Sequence, residues 1–461
     1  MVGLARSGRA VARLLAERGE TVIGCDSGHP GDLAGIEDLG VEVHLDTHGS
    51  ELLDSVTTVV KSPGVPGEAA VIATARERGI PVLGELELAW RLIAAPVIAV
   101  TGTNGKTTTA EMIGHLYREA DREVIVAGNV GTPLAEVAAA AATPASAAAP
   151  APDAALASPA APDTPTVVCE ASSFQLEDSV AFAPECAVFL NLAPDHIDRH
   201  GTYEAYREAK LRIFANQAAV DVAVINGEDP AAPSPDQIVA RTIRFCPGGN
   251  PAGPAGSECA VSRLAGTIYA LGEPLLDVTE LQVLGPHNIA NAMAAAAAAL
   301  AMGLPREAVA RGLAEFTGVA HRLEPVAEIG GTLYVNDSKA TNVAAASTGL
   351  ASFAVPVRAI LGGSLKGEDF AALAAPVAER CAACYLTGPA AAPIELALRE
   401  HGITGVEIVR CDDLAAAVGD AAAAARPGEV VLLSPGCASF DEFRDYAERG
   451  DRFRELVEGL A

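Results

Sequence analysis

Apolar residues along this chain gather into short solid runs separated by longer stretches with helical spacing. The runs are Thr21–Asp26, Thr58–Lys61, Pro96–Val100, Thr166–Cys169, Cys186–Asn191 and Val222–Asn226, then Thr332–Asn336, Arg358–Leu361, Ala383–Leu386 and Val430–Ser434. A run of four to six apolar residues bounded by turn formers is the pattern of a parallel strand buried on both faces. Between them lie amphipathic or Ala-rich helical segments, Arg9–Arg18, Ala69–Arg78, Asn288–Met302 and Arg306–Glu315. Strand and helix in alternation predict an α/β protein with mostly parallel sheets. An irregular stretch reaching Leu284 separates the early strands from the late ones, which predicts a second sheet.

At 461 residues the chain is about three times the soft prior of roughly 150 residues per domain. The expected division is a Rossmann-like first domain (1–93), a central P-loop-type domain (94–318) and a Rossmann-like C-terminal domain (319–461). Only Met1 and Val2 precede the first glycine turn, less than an ordinary parallel strand. The expectation is a shortened sheet there, or a start further upstream. Residues 138–165 are nearly all Ala, Pro, Ser and Thr, too poor in large apolar groups to build a core, and six prolines block a continuous helix. They read as a mobile surface insertion.

Composition narrows the function classes. Half the residues are hydrophobic but only 4% aromatic, so the core must be made of Ala, Val, Leu and Ile. Absence of a strongly apolar run of about 18 residues or an apolar signal core predicts a cytoplasmic protein without a membrane span. A formal charge of −27 argues against nucleic acid or an anionic membrane as partner, although backbone amides can still bind a small anion. The nine scattered cysteines suit buried thiols better than a disulfide framework, and Cys381-Ala-Ala-Cys384 lacks the second pair or nearby His that zinc would need.

The sharpest chemical signal follows the strand Pro96–Val100. Thr101-Gly102-Thr103-Asn104-Gly105-Lys106-Thr107-Thr108 leads into a helix, the order of a phosphate-binding loop, although the first glycine of the general G-x-x-x-x-G-K-[ST] pattern is replaced by Val100. Small residues let backbone N–H groups approach phosphate, Lys106 can reach the outer phosphates, and the Thr107 hydroxyl can ligate Mg²⁺. Glu170 follows the next strand, where a carboxylate meets a nucleotide. His196, in the run Asn191–His200, could ligate a metal or orient a ligand. By spacing alone Lys210 is a helix-face lysine. Gly3-Leu4-Ala5-Arg6-Ser7-Gly8 is close to the dinucleotide fingerprint, and Asp26 ends the following strand where a ribose-binding acid would sit, so an NAD site stays open on this evidence.

Together the motifs resemble the Mur ligase family, and within it the D-glutamate-adding branch. They are T-G-T-N-G-K-T (Thr101–Thr107), E-x-S-S-F-Q-L (Glu170–Leu176), D-H-x-D-R (Asp195–Arg199), A-K-L-R (Ala209–Arg212) and G-x-H-N-x-x-N-A (Gly285–Ala292). H-R-x-E (His321–Glu324), N-D-S-K-A-T-N (Asn336–Asn342), G-G-S-x-K-G (Gly362–Gly367) and S-P-x-C-A-S-F-D-x-F (Ser434–Phe443) continue the order. The resemblance implies an ATP-dependent amide ligase. ATP phosphorylates the alanyl carboxylate of UDP-MurNAc-L-Ala, and the amine of D-glutamate attacks the acyl phosphate.

Position by position, the resemblance implies phosphate contacts from the loop Gly102–Thr108, with Lys106 on the β- and γ-phosphates. Thr107 and Glu170 would hold one Mg²⁺ and His196 a second, and Lys210 would be carbamylated into a carboxylate-like group able to act on Mg²⁺. Asn288 and Asn291 would line adenine, with Arg322 at the phosphates, Asp337 at the ribose and Lys339 nearby. Ala5, Arg6, Ser7, Asp26, Ser27, Gly64 and Asn129 would cradle the UDP-sugar. Thr341, Lys366, Ser439, Phe440 and Tyr446 would form the D-glutamate end, completed by closure of the third domain. A monomer is expected. Ser364 stands where relatives often carry Asp, and Gly28 where some carry a cation. Folylpolyglutamate synthases share the loop but normally begin at the ATPase domain, and an NAD-dependent dehydrogenase or a non-catalytic regulator would leave Lys210, His196 and the later motifs without a task.

Overall fold

Val97–Thr101 is buried at every position and sits inside a nine-stranded sheet. In this computed structural model, residues 1–31, 33–129, 132–140, 164–248, 259–283, 285–365 and 369–460 are described. Most of the insertion (141–163) and Lys366 therefore lie outside the described residues. The chain divides into two compact units, Met1–Glu280 with Ile289–Glu315, and Leu281–Asn288 with Phe316–Ala461.

In the first unit, Val97–Thr101 pairs in parallel with Thr166–Glu170 on one side and Cys186–Phe189 on the other. Val124–Gly128 extends one flank; Val222–Asn226 and Arg241–Cys246 extend the other, all parallel. The stretch expected to be irregular carries the sheet further. Val261–Leu264 adds in parallel, then Thr267–Ala270 and Glu273–Asp277 antiparallel. These strands escape the sequence pattern because they are only partly covered: burial along Thr267–Ala270 alternates, and a half-covered strand shows no solid apolar run.

Ahead of this sheet, Ile23–Cys25 pairs with Glu42–His44 and Val59–Lys61 with Val82–Gly84, both in parallel. Val2 forms parallel bridges to Cys25 and to Lys61, so the shortened first strand amounts to one bridging residue that joins the two pairs. The helix Arg6–Glu17 starts directly behind it. Gly8 must be glycine, since a Cβ there would lie 1.8 Å from the Gly3 carbonyl oxygen.

The second unit is a six-stranded sheet. Thr332–Asn336, Val430–Gly436, Val357–Gly362, Cys381–Thr387 and Glu407–Arg410 run parallel, with Glu324–Ile329 antiparallel on the edge. Its core is aliphatic, as the composition requires, and Cys381 and Cys384 are packed into it. One cysteine expectation fails: Cys246 and Cys259 are joined as a disulfide, with Cα atoms 6.0 Å apart. Cys246 ends the strand Arg241–Cys246, and Cys259 lies two residues before the strand Val261–Leu264 that pairs with it in parallel. The other seven are in no disulfide. No described helix is long and apolar enough to cross a membrane.

Two buried acids in the helix Glu85–Arg91 fasten residues 85–91 to residues 175–182. Glu87 accepts the N–H groups of Val180, Ala181 and Phe182 at 2.9–3.2 Å, and Arg91 pairs with it from the next turn. Glu85 accepts from Gln175 Nε2 at 3.2 Å, and burial raises its carboxyl to about 7. Glu87→Ala leaves those amides without their acceptor and is expected to cost about 3 kcal/mol of stability, read from denaturant midpoints. Glu85 is protonated more readily folded than unfolded, so its contribution is complete below pH about 4.5 and is lost as pH rises through about 7. Glu85→Gln, which cannot ionise, is expected to gain on the order of 2 kcal/mol over the parent between pH 5 and pH 8 in the same assay.

Candidate active site

The strand Val97–Thr101 is flanked on both sides by strands that come later in sequence, and a crevice opens at the carboxyl ends at such a point. The glycine loop leaves the central strand there. Gly102 and Gly105 have φ of +157° and +84°, backbone that suits glycine, and the helix Lys106–Glu119 follows with its N-terminal amides at the loop. Asn191, beyond the neighbouring strand, braces the loop: its carbonyl accepts the Thr103 N–H and its side chain accepts the Asn104 N–H, both at 2.9 Å.

The two lysines of the site meet on one atom. Lys106 Nζ donates to the Gly102 carbonyl at 3.0 Å and to the Thr103 carbonyl at 2.9 Å. Lys210 Nζ donates to the same Gly102 carbonyl at 2.8 Å. Lys210 is not a solvated helix-face lysine; it is 2% exposed on the helix Tyr203–Leu211. Burial, and then the Lys106 charge, lowers its ammonium to about 6, so it is mostly a neutral amine at pH 7. Tyr206, one turn earlier, places its ring 4.7 Å from Lys210 Nζ and its hydroxyl 3.1 Å from Thr103 Oγ1. Sequence reasoning missed Tyr206 and Asn191; the i, i+4 spacing of Tyr206 to Lys210 was the available signal.

Glu170 ends the strand on the other flank. Its Oε2 accepts from Thr107 Oγ1 at 2.7 Å, and Oε1 from Asn129 Nδ2 at 3.2 Å. The buried carboxylate and hydroxyl are hard oxygen donors beside the phosphate loop, a set that fits Mg²⁺. His196 stands in left-handed backbone (φ 52°), half-exposed, 3.4 Å from Asp195 and against the Phe174 ring. Mg²⁺ is a hard cation that takes oxygen ligands, so Lys210 would serve a second one here only if its amine were converted to a carboxylate-like group. Asn291 faces Gly105, where a Cβ would lie 2.3 Å from its Oδ1. Asn288 is buried near the start of the same helix, Pro286–Ala301.

Three short strand ends carry the other predicted ligands of this unit. Ala5 precedes the helix that begins with Arg6 and Ser7. Asp26 accepts the N–H of Leu4 at 2.7 Å and of Gly28 at 2.9 Å, so it closes the turn around the glycine segment. Ser27 and Gly64 are exposed beside them.

In the second unit, the H-R-x-E motif is a turn closed by Glu324, which accepts the His321 N–H at 2.8 Å. Arg322 follows that residue, and Lys339 donates its backbone N–H to the His321 carbonyl at 2.9 Å. Asp337 is buried, with Oδ1 accepting from Leu323 N–H and Oδ2 from Ser434 Oγ; burial raises its carboxyl to about 7. Both its oxygens are thus already engaged with protein. Lys339 Nζ lies 5.9 Å from the Tyr446 ring. Thr341 is half-buried, Ser439 buried and Phe440 largely exposed. Ser364, in place of Asp, donates to Asp441 at 3.0 Å. Arg449, missed in the sequence, donates to Ser338 and to the Cys437 and Ala438 carbonyls.

Family comparison joins these parts. Residues 100–299 match the Mur ligase middle domain, 321–437 the Mur ligase glutamate ligase domain, and 1–84 the MurD-like N-terminal domain. The chain belongs to the Mur ligase family. UDP-N-acetylmuramoylalanine–D-glutamate ligase from Pelotomaculum thermopropionicum is 41% identical over all of this chain and 97% of its own. The enzyme of that name from Salinibacter ruber is 38% identical with the same coverage. The fold is shared with UDP-N-acetylmuramate-alanine ligase MurC of Thermotoga maritima, with a TM-score of 0.58 at 18% identity over 100% of this chain and 99% of that one. It is shared also with MurF ligase of Thermotoga maritima in complex with ADP, with a TM-score of 0.56 at 16% identity over 96% and 91%. Glu170→Gln removes the charge beside Thr107 while keeping its shape; the expected result is a fall in kcat on the order of a hundredfold or more, measured as phosphate release.

Proposed function

We propose that this chain is the ATP-dependent ligase that joins UDP-N-acetylmuramoyl-L-alanine to D-glutamate in peptidoglycan precursor synthesis. Full-length similarity to enzymes of that name, with no part of the chain left over, carries the reading. ATP phosphorylates the alanyl carboxylate, the D-glutamate amine attacks the acyl carbon, and phosphate leaves as the amide forms. Every reactant is an anion, so the chain must supply positive charge and alignment where charge develops on the transferred phosphoryl group.

The loop amides of Gly102–Thr108 hold the phosphates. Lys106 exchanges the Gly102 and Thr103 carbonyls for the β- and γ-phosphates. Thr107 and Glu170 hold one Mg²⁺, which neutralises phosphate charge when bound. His196 and Lys210, the latter as a carbamate, serve a second. A neutral lysine is the form that adds CO₂, and the burial of Lys210 supports that assignment. Asn288 and Asn291 take adenine, with Arg322, Asp337 and Lys339 along the nucleotide. Asp337 would reach the ribose only through a lone pair left over from Leu323 and Ser434. Lys366, Thr341, Ser439, Phe440 and Tyr446 take D-glutamate, and Ala5, Arg6, Ser7, Asp26, Ser27, Gly64 and Asn129 the UDP-sugar. The division of labour follows residues 1–93, 94–318 and 319–461, in a cytoplasmic monomer.

Purified protein supplied with ATP, Mg²⁺ and UDP-MurNAc-L-Ala is expected to release phosphate when D-glutamate is added and not with L-glutamate. Release that is independent of D-glutamate, or absent, overturns the reading.

A further inference from the structure

The D-H-x-D-R motif ends in an arginine to which the ligation scheme above gives no duty. Arg199, in the short helix Ile197–His200, is largely buried. Its guanidinium donates to the carbonyls of Gly64 at 3.4 Å and Val65 at 2.9 Å, and to Glu177 Oε1 at 2.6 Å. Lys61 shares two of these three acceptors. Its fully buried Nζ donates to the Val65 carbonyl at 2.7 Å and to Glu177 Oε1 at 3.4 Å, and lies 2.6 Å from Asp178 Oδ2. The other Glu177 oxygen is 3.7 Å from His200 Nδ1.

Lys61 and Arg199 thus meet Glu177 and Asp178 in one partly buried cluster, with Arg76 4.0 Å from Asp178 at its exposed edge, and buried charge is tolerated where it is paired in this way. The cluster joins three segments. One is the turn Ser62–Val65, which carries Gly64. The second is the run Asp195–His200, which carries His196. The third is the segment that begins at Glu170 and reaches Glu177 through the capped turn Ser172–Gln175. Beside the direct bonds from Arg199 to Gly64 and Val65, Glu177 ties the first two together, because Lys61, just ahead of the turn, and Arg199 share its Oε1.

We propose that Glu177 is a positioning residue for the ligation, holding the turn that carries Gly64 in register with the loop that carries His196. The alanyl carboxylate of the UDP-sugar must reach the phosphoryl group, so the place where the sugar is gripped has to be fixed relative to the place where its carboxylate reacts. A misplacement of about 1 Å is worth up to a hundredfold in rate. This inference rests on the ligase reading above.

Glu177→Gln keeps shape and one acceptor but removes the charge, while Lys61 retains Asp178. Losing a charge-assisted bond of this kind corresponds to about a tenfold effect or more. The expected result is a KM for UDP-MurNAc-L-Ala raised about tenfold and a kcat lowered about tenfold, with the KM for ATP within about twofold of the parent. Glu177→Asp, which keeps the charge, is expected to recover part of both. In hydrogen exchange without substrates, residues 62–65 and 195–200 should both exchange faster in Glu177→Gln, while the rest of the unit is unchanged. Unaltered kinetics, or exchange that quickens uniformly across the unit, overturns the positioning role. Should Glu177→Gln not fold, Arg199→Lys, which keeps the charge but loses the fork onto two carbonyls, carries the same test. A parent protein that fails to release phosphate in response to D-glutamate sinks the ligase reading instead, and the exchange measurement still decides the coupling.

Discussion

The carbonyl oxygen of Gly102 accepts a hydrogen bond from both Lys106 and Lys210, and the character of the active centre follows from that shared acceptor. Two amines directed at one oxygen, one of them buried, are poorly placed to remain cations together. Lys106, in the first helical turn, has an outlet: it can swing toward an incoming phosphate. Lys210 is enclosed beneath the loop with Tyr206 against it, so it is the one that gives up its proton. A buried neutral amine is a nucleophile rather than a counter-ion, which is what modification by CO₂ requires.

That arrangement depends on chain topology. Placing an early strand, Val97–Thr101, between two later ones sends the loop after it, Glu170 on one side and the residues after Phe189 on the other into the same crevice. The residues recruited are those that happen to follow a strand end, which is why the chemistry is scattered over a hundred positions yet converges within hydrogen-bonding reach.

The same logic explains how much the sequence disclosed. Strands covered on both faces were legible because they leave solid apolar runs, and Val222–Asn226 and Thr332–Asn336 were read to the residue. Half-covered strands such as Thr267–Ala270 leave no such run and were read as irregular. Loop chemistry was legible where a motif is local, as in Gly102–Thr107. Glu85, Glu87, Lys61, Glu177 and Arg449 were not, because a charged residue reads as solvated until its partner is known. The partners of Glu87 and Lys61 lie about a hundred positions away. Lys210 belongs to the same class; its spacing alone said surface, and only the family resemblance said otherwise. The Cys246–Cys259 pairing is hidden for a related reason, since Cys259 lies just ahead of the strand Val261–Leu264, which leaves no solid apolar run.

Three buried cations show why reactivity falls where it does. Lys61 is paired with two neighbouring carboxylates. Arg449 cannot readily discharge; burial lowers it only to about 10, so it remains charged at neutral pH and surrounds itself with a hydroxyl and three carbonyls. Lys210 has neither remedy. It forms no ion pair among the described residues and has a single carbonyl acceptor that it shares with another amine. Of the three it alone relieves the cost of burial by changing its own chemical state, and a group that must do so is the one a reaction can use. In a chain of charge −27, carboxylates are plentiful enough to have paired it. Among the described residues Asp195 and Glu170 act on it only at a distance, which is too little to offset its burial.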